Sequence, residues 1–99
     1  MMNLNLKTPD GIIEAYEWLA EEVVAEPRRL PHHNLLGLLQ TLNGSSTLVV
    51  SMKLEADELR VRAGQDPQND MLTLRRKAER IAELEKFIKK NLKQKEGIR

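Results

Sequence analysis

The sequence predicts a small α+β domain in the order helix, helix, β-hairpin, long helix. Three observations predict it. Apolar residues recur at helical spacing over 9–25 and again from Asn34 to Leu42. Between Thr47 and Ala63 they alternate instead, in two runs on either side of Glu55-Ala56-Asp57-Glu58. From Asp66 onward the helical spacing returns and holds to about residue 93. An all-α four-helix bundle is the alternative, and residues 47–63 decide between the two.

The first helix is expected over about 9–25. Thr8 can cap it, and Pro9 is tolerated at the first helical position. Ile12, Tyr16, Leu19, Ala20 and Val23 form its inward stripe, and Pro27 ends it. Glu14, Glu17, Glu21 and Glu22 occupy the outer face, with Trp18 among them. Such a Trp either anchors a partner or packs on another part of the same domain.

"EPRRLPHHN" is a break. His32 and His33 are adjacent on an extended segment and have no cysteine to help them, so they are read as loop residues and not as zinc ligands. "NLLGLLQTLNG" is then a short helix with Leu35, Leu38, Leu39 and Leu42 inward and Gly44 as its C-terminal cap.

Residues 47–63 are open to two readings. As a helix, Leu48, Val49, Met52, Ala56, Leu59 and Ala63 share one side, and Gly64 followed by Pro67 is a proper stop. That leaves Val50, Leu54 and Val61 together on the far side. As a hairpin, Leu48, Val50, Met52 and Leu54 pair with Leu59, Val61 and Ala63, and only Val49 is misplaced. Pattern favours the hairpin.

Asp66-Pro67 opens the last helix by the same logic as Thr8-Pro9. Leu74, Ala78, Ile81, Leu84, Ile88 and Leu92 form its stripe, close to heptad spacing. A helix from 67 to 93 is about 40 Å long, more than a small domain needs, and the excess is open to dimerisation or to binding a partner. Residues 94–99 read as a frayed tail.

Length and composition set the class. The chain has 99 residues, which makes residues 1–99 a single domain, and 40% apolar content allows a modest core. There is no cysteine, so disulfides, thiolate metal sites and cysteine nucleophiles are excluded. A cytoplasmic location fits that usage. The start "MMNLNLKTPDG" lacks the regions of a signal peptide, and no apolar run is long enough to cross a bilayer. Charge is split: residues 1–70 carry 6 basic and 11 acidic side chains, residues 71–99 carry 10 and 4. A basic C-terminal part is either a face for an acidic partner or a solvated helix.

"MKLEADELRVRA" carries a resemblance. Met52, Leu54, Asp57, Leu59, Arg60, Val61, Arg62 and Ala63, preceded by "LLGLLQTLNG" and followed by Leu74 and Lys77-Ala78-Glu79, resemble a known family. It is the tubulysin-type N-terminal docking domains of nonribosomal peptide and hybrid polyketide synthetases. The likeness covers residues 34–92, leaving 1–30 as an added N-terminal helix region. Gly64-Gln65-Asp66-Pro67 replaces the family's Pro-Lys-Gly and Leu-Thr-Pro segment. The resemblance implies a hairpin whose exposed strand takes up a short acidic peptide by β-augmentation. It places Arg60, Arg62, Arg75 and Arg76 as the partner-binding residues, with exposed ion pairs of about 0.2–1 kcal/mol each.

No nucleotide-binding loop and no nucleophile elbow is present, so an enzyme is not expected, nor a cofactor, nor a metal. Two function classes follow. One is a non-catalytic adaptor that docks an acidic protein segment as a homodimer. The other is a winged-helix-like nucleic-acid binder using Arg60, Arg62, Arg75, Arg76 and the C-terminal lysines on phosphates. "NLLGLLQTLNG" offers no Arg or Lys to read a guanine edge, which weighs against the second.

Overall fold

The computed structural model describes residues 5–97, with side chains through Lys93. Every regular element in that range is helical. The chain is all-α, though as three helical rods and not the four-helix bundle of the alternative, and the β-hairpin expected over 47–63 does not form.

Helix α1 spans Pro9–Val24. Thr8 Oγ1 accepts the Gly11 N–H at 3.1 Å, and Pro9 opens the first turn as expected. Gly11 is required: a Cβ there would lie 1.7 Å from the Asn5 carbonyl oxygen. The helix buries Ile12, Ala15, Tyr16, Leu19 and Val23. At its C-terminal end Arg28 Nη2 donates to the Val23 carbonyl at 3.1 Å, supplying a partner that the helix itself cannot. Glu22 is buried and is neutralised by an ion pair with Arg29.

Helix α2 spans His32–Ser46, and Gly44 lies inside it instead of capping it. The backbone stays helical through a π-helical turn, Thr47–Ser51, and into α3, Met52–Arg62. Together these make one rod of about 46 Å at 1.5 Å per residue. The wider π turn holds back the rotation of the chain by about one residue. Leu35, Leu39 and Leu42 face inward before it, and Val50, Leu54 and Asp57 after it.

That shift explains why the hairpin fails. Of the residues that alternation placed on strands, the π turn brings Val50 and Leu54 onto the buried side of a helix and leaves Leu48, Met52, Leu59 and Val61 exposed. Met52 to Arg62 is rich in Leu, Met, Glu, Lys, Ala and Arg, which favour helix. The proposed loop Glu55-Ala56-Asp57-Glu58 has no Gly or Asn to turn the chain. A lone two-stranded hairpin is also marginal in water.

Gly64 ends α3 with φ +79, a left-handed conformation that suits glycine. Its N–H bonds the Val61 carbonyl at 3.0 Å and the Gln65 N–H bonds the Arg60 carbonyl at 2.8 Å, a Schellman closure. Helix α4 spans Met71–Gly97. Its cap is Asp70 and not Asp66: Asp70 accepts the Leu72 and Thr73 N–H groups and the Thr73 hydroxyl. Of the tail expected at 94–99, residues 98–99 lie outside the described residues.

The three rods run up, down and up. α1 packs mainly on α4 and on α2, and ion pairs Asp10–Lys77 (2.9 Å) and Glu17–Arg80 (3.3 Å) tie α1 to α4. The core joins the α1 and α2 residues to Leu74, Ile81, Leu84, Ile88 and Leu92 of α4. The stripe of α4 is therefore consumed within the chain. Beyond the reach of α1, α3 and the first turns of α4 continue as a two-helix stalk, which gives an elongated shape of 55 × 28 × 17 Å.

Candidate functional site

The four arginines expected to bind a partner all lie toward the closed end of the stalk, but Arg60 and Arg62 leave α3 on opposite edges and form no single cluster. Arg60 and Arg62 lie in the last turn of α3, Arg75 and Arg76 near the start of α4. They sit on helices, so no strand edge is offered for β-augmentation among the described residues. Two are already engaged: Arg60 Nε donates to the Asp66 carbonyl at 3.1 Å, and Arg75 pairs with Glu58 at 3.2 Å. Arg62 and Arg76 are exposed.

The same end is organised by Asp57. Its carboxylate is buried and accepts the N–H groups of Gln68 and Asn69 and the Asn69 side-chain amide, at 2.9–3.0 Å. These bonds, led by that from Gln68, hold its pKa below the ordinary carboxylate value. Asp70 is lowered in the same way, chiefly by the Thr73 hydroxyl.

Trp18 is elsewhere. It lies on α1, is partly buried against the core, and shares a shallow cavity of about 240 Å³ with Glu14, Glu17 and Glu21. It packs in part on its own domain, and its acidic surroundings set it apart from the arginines.

Tyr16 donates its hydroxyl to Asn43 Oδ1, joining α1 to α2 inside the core. Burial, then the negative charge of Glu85, pushes its pKa above the ordinary value for a phenol. Among the described residues, no three His, Cys, Asp or Glu side chains gather to hold a metal ion. No helix there is long and apolar enough to cross a membrane.

The most distinctive surface is one that sequence reasoning passed over. With Val50, Leu54 and Asp57 turned inward, the stripe Leu48, Met52, Ala56, Leu59 points the opposite way. Leu48 is 66% exposed, Met52 53% and Leu59 56%. α3 thus carries apolar residues on two opposite sides, and its own domain covers one. The outward strip continues down α2 through Gly44, Thr41 and Gly37, all exposed. A Cβ at Gly37 or Gly44 would meet nothing within 4 Å, so nothing in this chain calls for glycine at either place. Each costs a helix about 0.8–1.0 kcal/mol relative to alanine.

From Leu30 to Met52 the chain has no Asp, Glu, Lys or Arg, although 31% of all its residues are charged. A core helix buried all round would explain this, but the outer face of α2 is open. Depletion of charge on an exposed surface is the compositional mark of an interface core. The signal was available in the sequence as a simple gap in the charges.

Comparison of the chain with protein-family models, curated proteins and solved structures gave no match. The docking-domain resemblance therefore rests on residues 34–92 themselves.

Proposed function

We propose that this chain is a non-catalytic, cytoplasmic protein-interaction module that docks through the outward face of its long helix. One observation carries the reading: the strip from Gly37 to Leu59 is exposed, uncharged along α2 and apolar along α3. A solvated helix face is ordinarily charged, and an amphipathic helix has one apolar side. A second apolar side joined to a charge-free stretch is what a covered helix has.

The arginines take a secondary role. An acidic partner segment reaching the stalk end would meet Arg62 and Arg76 first, because Arg60 and Arg75 have partners within the chain. The nucleic-acid alternative has lost its two-stranded wing, and Arg60 and Arg62 stand on a helix that also carries Glu55, Asp57 and Glu58.

The test is site-specific photo-crosslinking in cells. A crosslinker replacing Met52 should give one adduct of defined mass, and Leu59→Glu should abolish it. A crosslinker replacing Lys90, on the outer face of α4, should give none. If position 52 yields nothing, or the adduct ignores Leu59→Glu, the face is not a docking surface.

A further inference from the structure

We propose that the occupant of this face is a second copy of the chain, packed antiparallel about a two-fold axis near Ser46 and Thr47. The inference rests on the reading of the strip as a docking surface and names its partner.

The strip is divided by size. Its α3 half is bulky, with Leu48, Met52 and Leu59; its α2 half is small, with Gly37, Thr41 and Gly44. A two-fold axis between the halves lays bulky on small in both directions at once. Met52 then faces Thr41 of the second copy, Ala56 faces Gly37, and Leu48 packs beside Gly44. A C2 interface must be self-complementary in this manner. The two open glycines acquire a reason, since small residues let helices approach closely.

Charge selects the same arrangement. Lys53 and Arg60 border one edge of the α3 half, and Glu55 and Arg62 the other. Pairing α3 on α3 in antiparallel register would bring the Lys53 and Arg60 edge against its own copy. Pairing α3 on α2 lays those side chains beside the Asn34 and Thr41 edge of a helix that has no Asp, Glu, Lys or Arg. A strongly charged partner would find no counter-charge along the α2 half.

The area fits a reversible dimer. The strip from Gly37 to Leu59 is about 34 Å long and about 10 Å wide, which amounts to roughly 700 Å² over two copies. That lies below the roughly 1,200–2,000 Å² of stable specific interfaces, in the range of weak, transient pairs. The strip faces away from α1 and α4, so the rest of each copy stays clear of the other.

Because the chain has no cysteine, disulfide trapping reads the register directly. Thr41→Cys and Met52→Cys are made as two separate full-length proteins. Mixed and oxidised, they should give a covalent dimer, while each alone should give little. Within one copy the two positions are about 16 Å apart along the helix, too far to bridge. Gly37→Leu should weaken self-association about tenfold or more in sedimentation, yet leave Tm unchanged or raised, because the site is open.

A chain that stays monomeric at about 100 μM, in the range where weak complexes assemble, overturns the proposal. So does self-linking of Met52→Cys as fast as the mixture, or a Gly37→Leu protein that dimerises normally. The mass of the crosslinked adduct separates the two levels. An adduct with a different protein leaves the docking face standing and removes the second copy; no adduct at all removes both.

Discussion

Asp57 and Asn69 are joined twice: the carboxylate accepts the Asn69 backbone N–H at 3.0 Å and its side-chain amide at 2.9 Å. One buried acid on α3 thereby holds the loop that reverses the chain into α4. The Gln68 N–H completes the arrangement at 2.9 Å.

Asp57→Ala should lower Tm by more than about 5 °C, because it leaves two part-buried backbone N–H groups without acceptors in a domain of this size. Thermal melts followed by circular dichroism measure it. Asp57→Asn keeps one acceptor and should fall between. An unchanged Tm for Asp57→Ala would mean that the loop does not depend on this residue.

Acid should weaken the fold through Asp57 and Asp70. Both have folded pKa values below the ordinary carboxylate value, so each contributes stability above the unfolded value of about 3.9. That contribution is lost as pH falls through the folded values. Denaturant melts from pH 6 downward should show a loss beginning below about pH 4, and Asp70→Asn should make it shallower. Asn caps a helix about as well as Asp, so this variant should be near wild type at neutral pH.

Tyr16→Phe should cost about 1 kcal/mol, since Asn43 Oδ1 loses its donor inside the core. The phenol should also resist ionisation. Its folded pKa is raised, so its contribution is complete below the unfolded value of about 10 and is lost as pH rises above it. An ultraviolet titration should show no tyrosinate until the protein unfolds.

The phase of the long helix is open to a paired test. Val50 is buried and Leu48 is 66% exposed, although both lie in or beside the same π turn. Val50→Ala should destabilise by roughly 1–3 kcal/mol, and Leu48→Ala should stay within about 0.5 kcal/mol. Urea titrations distinguish them. Equal effects would mean that the π turn does not set the facing of α3.

Much of the helical framework was legible in the residues. Thr8-Pro9 announced α1, the 3.6-residue stripe from Leu74 to Leu92 announced α4, and Leu35, Leu39 and Leu42 announced the inward side of α2. Local chemistry decides these: a cap, a fixed proline φ, and one continuous apolar side. Gly64 also marked a true stop, because few other residues accept its left-handed backbone. The gap in charge from Leu30 to Met52 was equally plain, and it needed only to be counted.

Residues 47–63 needed the tertiary structure. Their alternation and their helical stripe were nearly equal signals, and local pattern favoured the wrong one. The π turn settles the matter by adding one residue to the rotation, and periodicity computed for a regular helix cannot anticipate it. It sends Val50, Leu54 and Asp57 toward α4 and leaves Leu48, Met52 and Leu59 outside. The position of Asp57 followed from the same shift: a residue expected in an exposed turn became the buried acceptor for the next loop. The sequence determined which segments are helical at both ends of the chain; packing against α4 decided which side of the middle helix would be left uncovered.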